Sequence, residues 1–294
     1  MKSSENSLKA VQLNYSVVIV EYFSGDHLIA CLDSLNRQTL KPESVFVVIN
    51  GIEDKFRKMM EKDFPDVELI DPKSNLGYSK AANLGISNTS SDIVLTLNPD
   101  TVLKDDAAEV ACEYISSNEN VGTVGPRIYE SNGDIYPSAR EEPKVIDAIG
   151  HALLGAFLPN NRFTKRYKNA DVDPEVNREV GWLSGAAIFI RRTALDEIGG
   201  WDEDYFMYCE DIDLGRKMQM NRWKNVYVPA SQITHVQGVS TSRTPIPLLI
   251  THHKSLYIYA SKKYRGNPIM KFAVGAFILI RLPLALGAHF FHIN

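Results

Sequence analysis

A short apolar segment that ends at a proline constrains the fold of this chain more than any other feature. The segment Asp92–Leu97 contains a near-continuous apolar run, which is typical of a parallel strand covered on both faces. Pro99 then interrupts the strand, because proline has no N–H to donate. We therefore predict that Asn98 and Asp100 lie at the carboxyl end of a central strand, where open α/β sheets bind ligands.

The turn after this strand has two interpretations. Asp100 offers a carboxylate, and Mg²⁺ in proteins is commonly held by one or two carboxylates together with substrate phosphates. An Asn-Pro-Asp turn that binds no metal is, in isolation, the commoner case. The turn therefore predicts a metal site only if other motifs support it.

Composition and charge exclude several classes of protein. The chain has 294 residues, of which 44% are hydrophobic, as in an ordinary globular protein with one large domain or two small ones. A formal net charge of −4 gives no reason to expect a nucleic-acid partner. Three scattered cysteines without CxxC spacing argue against a zinc site or a disulfide framework. The polar N-terminal extension 1–14 lacks the apolar core of a signal peptide, which predicts a cytoplasmic location.

The first half of the chain alternates between segments with strand and helix patterns. Such alternation predicts right-handed βαβ crossovers and a mostly parallel central sheet flanked by helices. The predicted strands are Ser16–Val20, Val45–Ile49 and Val67–Ile70, and the predicted helices lie around Leu28–Leu35, Phe56–Met60 and Asn75–Asn83.

The second half is less regular. The sequence predicts strands at Val121–Val124, Trp182–Ile190 and Asn225–Pro229, and a helix at Cys209–Arg222. The region Pro137–Arg178 is rich in proline, asparagine and charge, which predicts an irregular excursion from the domain.

Three carboxylates are concentrated at the start of the helix predicted in the second half. Helical spacing predicts that Glu210 and Asp213 share one face and that Asp211 points elsewhere. A negatively charged first turn that complements the helix dipole would explain this acidity. The aromatic residues directly before it, Tyr205 and Phe206 among them, favour a partly dry pocket in which a carboxylate deprotonates a sugar hydroxyl.

A histidine after the last predicted strand is a further candidate for the site. A lone histidine such as His235 is more often structural than functional. It becomes a candidate metal ligand if the fold brings it beside Asp100.

The C-terminal segment 266–294 is dominated by apolar side chains. It is long enough to span a membrane, but Arg281 and Pro283 interrupt it, which favours an element lying in the membrane interface. A helix docked on the protein's own core is the alternative. The basic residues Lys262, Lys263 and Arg265 just before it favour an anionic membrane surface.

An ordered series of motifs resembles a known family. The series resembles the inverting glycosyltransferases of family two, which have the GT-A nucleotide-sugar transferase fold, and it covers roughly residues 15–265. The matching motifs are Val17–Tyr22, Val47–Gly51, Asn75–Gly85, Leu97–Asp100, Trp182–Ala186, Gly199–Asp202 and Tyr208–Leu214.

This resemblance implies roles for individual residues. Asn98 and Asp100 match the family's metal motif and His235 its metal-binding histidine, with Mg²⁺ or Mn²⁺ as cofactor. Asp211 matches the catalytic base, and Glu210 lies beside it. The implied donor-binding residues are Val20, Glu21, Tyr22, Asn50, Asn75, Gly77, Asn83 and Asn98, and the implied acceptor-binding residues are Arg140, Trp182, Ser184, Gly185 and Tyr208.

The nucleoside pocket departs from the family pattern. Ile49 stands where the family usually has an aspartate, and Glu21 stands where a small polar residue is frequent. We expect Asn50 or Glu21 to compensate for the missing carboxylate.

A narrower resemblance concerns the substrates. It links the chain to the rhamnosyltransferases of the arabinogalactan linker and implies dTDP-L-rhamnose as donor, a polyprenyl-diphosphate-linked N-acetylglucosamine as acceptor, and work at the inner face of the cell membrane. A sister transferase with a galactofuranosyl or hexosyl donor and a non-catalytic binding subunit are the alternatives. The motifs that carry this resemblance are Tyr136–Arg140, Val180–Gly185, Tyr205–Tyr208, Val226–Pro229 and His252–Ser255.

Overall fold

The computed structural model describes residues 13–142, 173–236 and 245–292. Nearly all of the N-terminal extension 1–14, and residues 143–172 of the irregular excursion, lie outside the described residues.

The first half folds into the alternating strands and helices that the sequence predicts. The strand that ends at the proline turn is buried along its whole length, as expected for a strand covered on both faces. The elements are β1 (Tyr15–Tyr22), α1 (Asp26–Arg37), β2 (Ser44–Gly51), α2 (Asp54–Asp63), β3 (Val67–Ile70), α3 (Tyr78–Ile86) and β4 (Ile93–Leu97).

The second half continues the same sheet with shorter connections. Its helices are α4 (Ala107–Ser117), α5 (Arg192–Glu197), α6 (Glu210–Met220), α7 (Pro245–Lys263) and α8 (Pro268–His292). Its strands are β5 (Thr101–Leu103), β6 (Val121–Tyr129), β7 (Ile135–Tyr136), β8 (Ala139–Arg140), β9 (Arg178–Val180), β10 (Trp182–Leu183), β11 (Ala187–Arg191) and β12 (Lys224–His235).

The central sheet has the strand order β3-β2-β1-β4-β11-β6-β12-β5. Strands β3, β2, β1 and β4 are mutually parallel, and β6 is parallel to β12. Along this order β11 and β5 run against their neighbours. The mostly parallel sheet of a GT-A-like α/β fold is thus confirmed.

Apolar side chains cover both faces of this sheet. Val17 and Leu95 point to one face, where α1 and α4 pack, whereas Val18 and Val94 point to the other, where α3 and α6 pack. This alternation along each strand places two apolar layers against helices. The carboxyl ends of β1, β2 and β4 remain open for a site.

The single strand predicted at Trp182–Ile190 is wrong, because the chain bends in its middle. Trp182 and Leu183 pair with β8 in a separate two-stranded sheet, and Ala187–Arg191 joins the central sheet. At the bend, the N–H of Ser184 donates to the carbonyl of Ser138 at 2.7 Å instead of to a strand in the central sheet. The predicted strand Asn225–Pro229 is correspondingly longer, as it continues to the end of β12.

The C-terminal helix α8 is continuous through Pro283, and several of its apolar side chains are exposed, namely Ile269, Phe272, Leu279 and Ile280. Residues Pro268–Gly287 have a mean hydropathy of 2.0, and none of that stretch is buried in the protein. The helix contacts α7, where Nη1 of Arg281 lies 2.9 Å from Nε2 of His253. By length and composition it is suited to cross a membrane, and the docking of this helix into the protein's own core is not observed.

Two of the lysines expected to meet an anionic membrane are instead paired within the protein. Nζ of Lys262 lies 2.7 Å from a carboxylate oxygen of Asp204, and Nζ of Lys263 lies 2.9 Å from one of Glu142. Both lysines belong to the end of α7, so these ion pairs attach that helix to the domain. The membrane role of the basic cluster stays a prediction, in which Lys262 and Lys263 also pair within the protein and Arg265 is exposed.

Candidate active site

A cavity of about 450 Å³ opens at the carboxyl ends of β1, β2 and β4, within the size range of small-molecule sites. It contains most of the residues that the family resemblance implies. The predicted residues that line it are Val20, Tyr22, Asn50, Asn75, Gly77, Asn98, Asp100, Ser184, Gly185, Tyr208, Glu210, Asp211 and His235.

Strand pairing brings the distant segments of this cavity together. Ala187 at the start of β11 lies opposite Leu97 at the end of β4, which sets Ser184 and Gly185 beside Asn98. At the other strand end, His235 pairs with Thr101, the residue that follows Asp100. Backbone pairing in the sheet thus places the bend at Ser184 and Gly185 on one side of the proline turn and His235 on the other.

A carboxylate and an imidazole meet on one side of the cavity. Oδ1 of Asp100 lies 3.1 Å from Nε2 of His235, and both side chains are largely buried. The other ring nitrogen of His235, Nδ1, is buried and has no hydrogen-bond partner in the described part of the chain.

This pair could supply two protein ligands to a divalent cation. Carboxylate oxygen and imidazole nitrogen are suitable ligands for Mn²⁺, and a carboxylate with substrate phosphates suits Mg²⁺. Among the described residues no group of three or more His, Cys, Asp or Glu side chains is placed to hold a metal. The oxygens of a nucleoside diphosphate would therefore have to complete the coordination.

A turn between β3 and α3 forms one wall of the cavity. The side-chain amide of Asn50 donates to the carbonyl of Gly77 at 2.9 Å and accepts from the N–H of Leu76 at 3.1 Å. Gly77 has φ +77° and its backbone lies against Phe206, where a Cβ would stand 2.5 Å from the carbonyl oxygen. Only glycine fits that position, since any side chain would displace the backbone of Phe206.

The first turn of α6 carries the carboxylates on the other side of the cavity. Oδ2 of Asp211 accepts the N–H of Gly185 at 3.2 Å, and Oδ1 accepts that of Ile212 at 2.9 Å. The two residues before the helix, Tyr208 and Cys209, have φ of 71° and 65°. Such left-handed geometry in non-glycine residues costs on the order of 1–3 kcal/mol each and is typical of functional sites.

Burial and mutual repulsion shift the titration of the two neighbouring carboxylates. Burial and the charge of Asp211 raise the pKa of Glu210 to about 8. Burial also raises the pKa of Asp211, while hydrogen bonds from Gly185 and Ile212 and the charge of Arg140 oppose that rise. The charge of Asp211 thus favours a proton on Glu210, whereas the hydrogen bonds and the charge of Arg140 favour the charged form of Asp211.

The prediction that Glu210 and Asp213 share one face of this helix, with Asp211 pointing elsewhere, is wrong. Glu210 and Asp211 line the cavity together, whereas Asp213 is buried behind it, 3.3 Å from the hydroxyl of Tyr205. The carboxylates at the beginning of α6 are placed by the left-handed turn before it, so regular helical spacing did not locate them. Tyr205 likewise belongs to the core and does not line the cavity.

Two residues with implied donor-binding roles lie outside the cavity lining. The buried carboxylate of Glu21 accepts hydrogen bonds from the N–H and the hydroxyl of Ser24. The amide of Asn83 accepts the N–H of Trp201 at 2.9 Å and donates to its carbonyl at 2.8 Å. In this structure Glu21 is bound to Ser24 and Asn83 to Trp201, so neither side chain lines the cavity, and compensation by Glu21 for the aspartate missing at Ile49 stays a prediction.

Two residues with implied acceptor-binding roles also lie outside the lining. Arg140 stacks over the ring of Trp182, with its guanidinium carbon 5.2 Å from the ring centroid. The indole N–H of Trp182 donates to the carbonyl of Glu141 at 3.1 Å. Arg140 nonetheless acts on the site electrostatically, because its charge lowers the pKa of Asp211.

Helix α7 supplies a wall of the cavity that the sequence did not reveal. Pro247, Leu248 and Thr251 line it, and they come shortly before the motif His252–Ser255. The hydroxyl of Ser255 donates to the carbonyl of Met207 at 2.7 Å and so holds the segment before α6 against this helix. The position of α7 against the cavity depends on such contacts between segments that are distant in the chain.

Comparison with known proteins identifies the family. The sequence matches the family described as "Glycosyltransferase like family 2" over residues 13–265. N-acetylglucosaminyl-diphospho-decaprenol L-rhamnosyltransferase of Mycobacterium tuberculosis is 37% identical over 261 residues, which is 85% of this chain and 85% of that protein. Rhamnosyltransferase WbbL of Escherichia coli K12 is 22% identical and covers 84% of this chain and 92% of its own length.

Solved structures share the fold. The crystal structure of S. aureus TarS 1-349 superposes with a TM-score of 0.57 at 17% identity, covering 91% of this chain and 71% of that one. The crystal structure of GalNAc-T7 with UDP, GalNAc and Mn²⁺ gives a TM-score of 0.55 at 14% identity, over 85% of this chain and 50% of that one. Since the family match spans most of its length and a relative shares more than a third of its residues, the chain belongs to the glycosyltransferases of family 2 and is a glycosyltransferase.

Proposed function

We propose that this protein transfers L-rhamnose from dTDP-L-rhamnose to a polyprenyl-diphosphate-linked N-acetylglucosamine in the synthesis of a cell-wall polysaccharide. The observation that carries the proposal is a cavity lined both by the Asp100–His235 pair and by the half-buried carboxylate of Asp211. Such a cavity provides both a place for a nucleoside diphosphate and a base for a sugar hydroxyl. The choice of sugar and acceptor rests on similarity to the mycobacterial rhamnosyltransferase.

Asp100 and His235 would hold the divalent cation, Mg²⁺ or Mn²⁺. The cation would supply positive charge that stabilises the departing diphosphate. Asn98, on the same turn, would orient the donor beside them. The Asn75–Gly77 turn, held by Asn50, would form the wall against the nucleotide.

Asp211 would act as the general base. Its negative charge is favoured by two backbone N–H groups, and it lines the cavity in which the acceptor hydroxyl must lie. The hydroxyl oxygen attacks the anomeric carbon as its proton passes to Asp211, and the bond to the dTDP oxygen breaks on the opposite face. One displacement of this kind inverts the anomeric centre without a covalent sugar–enzyme intermediate.

The acceptor sugar would bind on the Asp211 side of the cavity. The bend at Ser184 and Gly185 lines this side, and the N–H of Gly185 donates to Asp211. The ring of Tyr208 lies directly before α6, and His252 contacts it edge-on with centroids 5.3 Å apart. An aromatic face next to the base suits the apolar face of a pyranose ring.

Transfer to a polyprenyl-linked sugar would take place at the inner face of the cell membrane, where α8 would be bound. An exposed apolar surface of this extent is rare on soluble monomers, which supports membrane association. We expect that deletion of residues 268–294 abolishes flotation with anionic liposomes and impairs activity on long-chain acceptors more than on short soluble ones. Equal flotation of the truncated and complete chains would assign α8 to the protein's own core or to an oligomer.

Mass spectrometry of products from a panel of donors tests the proposed reaction. The purified chain is incubated with Mg²⁺ or Mn²⁺, N-acetylglucosaminyl-diphospho-lipid, and dTDP-rhamnose, UDP-galactofuranose or a UDP-hexose in separate reactions. We expect a mass increase corresponding to one deoxyhexose with dTDP-rhamnose. Preferential transfer from another donor would identify a sister transferase, and a lack of turnover with every donor would indicate a non-catalytic binding subunit.

A further inference from the structure

A second groove adjoins the active-site cavity and has no part in the reaction described above. It has a volume of about 260 Å³ and shares Phe206 and Thr251 with the larger cavity. The groove and the active-site cavity are therefore direct neighbours. Its lining residues are Asp204, Phe206, Thr251, Lys254, Ser255 and Ile258.

Helix α7 separates the active site from the exposed apolar helix α8. One face of α7 presents Thr251, Lys254 and Ile258 to the groove, in keeping with their spacing of three and four residues. The neighbouring face contacts α8, through His253 against Arg281 and Tyr257 beside Gly275. An acceptor chain that runs from a membrane at α8 to the active site would have to pass α7.

The groove carries one positive charge that nothing in the described structure neutralises. Asp204 is paired with Lys262 at 2.7 Å, so its charge is compensated. Lys254 is exposed and has no carboxylate within 4.0 Å among the described residues. Phe206 and Ile258 add apolar surface to either side. A cation beside apolar side chains matches the junction of a phosphate and a hydrocarbon chain.

We propose that this groove binds the diphosphate and the first isoprenoid unit of the acceptor, with Lys254 contacting the diphosphate. The inference rests on the proposed function, which supplies a lipid-diphosphate acceptor. The diphosphate of the donor is the other possible source of this chemistry. It would be held at Asp100 and His235, neither of which lines the groove.

Steady-state kinetics of Lys254→Gln test the assignment. The acceptors are a soluble short-chain N-acetylglucosaminyl-diphospho-lipid and the same lipid glycoside without the diphosphate. Because a charge-assisted hydrogen bond is lost, we expect KM for the diphosphate acceptor to rise about tenfold at low salt, with kcat unchanged. KM for the glycoside and for dTDP-rhamnose should stay at the wild-type value.

Two further variants separate charge from folding and from general surface effects. Lys254→Arg should restore KM for the diphosphate acceptor, because it keeps the charge. Lys58→Gln removes an exposed lysine on α2, outside both pockets, and should leave every parameter unchanged. The effect of Lys254→Gln should also shrink as salt is added, since an exposed charge is screened.

The possible failures are distinguishable. A wild-type chain that does not use the lipid-diphosphate acceptor would contradict the proposed function, and the groove is then tested by calorimetric titration of farnesyl diphosphate into wild type and Lys254→Gln. Equal affinity in that titration would overturn the inference. In the kinetic test it is overturned by an equal rise of KM for both acceptors, by no rise, or by a rise confined to dTDP-rhamnose.

Discussion

Two aspartates in the same cavity have opposite surroundings. Asp100 follows the end of a central strand and has the imidazole of His235 at 3.1 Å. Asp211 lies in the first turn of a helix, with Glu210 beside it and the N–H of Gly185 donating to it. Both are carboxylates that line one pocket, so the difference between them comes from their neighbours.

These neighbours determine what each carboxylate is able to do. An imidazole beside a carboxylate adds a second lone pair for a cation, which is useful to a metal site. A second carboxylate beside the first opposes the ionisation of both, which leaves a proton on one of them. Backbone N–H groups favour the charge on Asp211, as the proposed role of base requires, while burial and that charge raise the pKa of Glu210.

The largest expected effect comes from the base. Asp211→Asn keeps the size of the side chain and part of its hydrogen bonding but removes the proton acceptor. We expect turnover to fall by about 10²-fold or more, the usual contribution of a general base, while affinity for the donor is retained. Single-turnover rates and calorimetry of dTDP binding measure the two quantities.

A matched control separates this effect from loss of charge in general. Asp66→Asn changes an exposed carboxylate that does not line the cavity, and it should leave turnover unchanged. Near-normal turnover of Asp211→Asn would remove this residue from the role of base and would make the two aspartates functionally alike.

The next effect concerns donor binding at the other aspartate. Asp100→Ala removes a large share of the protein ligands of the proposed cation, so we expect metal-dependent affinity for dTDP to fall by about tenfold or more. His235→Ala should weaken it less. Calorimetry with and without Mn²⁺ provides the measurement. Unchanged affinity in Asp100→Ala would show that the ion is held elsewhere or not used.

The position of Asp100 could be predicted from the sequence, because it follows from the order of the strands. The apolar run before Pro99 located Asp100 at the open end of the sheet, because a buried parallel strand and its proline stop are local patterns. The metal-binding role of His235 was suggested by the family resemblance. Its contact with Asp100 depends on the pairing of β12 with β5, which no local pattern specifies.

The rest of the site depends on contacts between distant segments. The left-handed residues Tyr208 and Cys209 set how the chain enters α6, so helical periodicity alone did not show which carboxylates face the cavity. The wall formed by α7 results from contacts such as that of Ser255 with Met207, separated by 48 residues. The side chain of Asn83 likewise depends on a distant segment, because it accepts the N–H of Trp201 instead of lining the cavity.

A smaller effect should appear in stability. The pKa of Glu210 is raised to about 8 from an ordinary 4.5, so the folded state holds its proton over a range in which the unfolded chain has lost it. Stability from this group is complete below pH 4.5 and is lost as the pH rises to about 8. Glu210→Gln removes this loss, and we expect it to stabilise the protein above pH 8 by about 1–2 kcal/mol, allowing for water in the cavity.

Thermal unfolding between pH 4.5 and 9 measures this effect. The melting temperature of wild type should decline relative to that of Glu210→Gln as the pH rises, and the two should converge in acid. Parallel curves would show that Glu210 is ionised in the folded protein at neutral pH. Glu210 and Asp211 would then both be charged at neutral pH. The difference in charge would no longer support the choice of Asp211 as the base.

The smallest expected effect tests how Asp211 keeps its charge. Arg140 lies outside the cavity lining, stacked on Trp182, and its charge lowers the pKa of Asp211. Arg140→Gln removes this charge, so the pKa of Asp211 should rise further. The acid limb of the profile of kcat against pH should then move to higher pH. Arg140→Lys should restore the limb partly, because it keeps the charge without the planar stacking. A limb that stays in place in Arg140→Gln, with KM for the acceptor raised instead, would mean that Arg140 binds the acceptor directly, as the family resemblance implies.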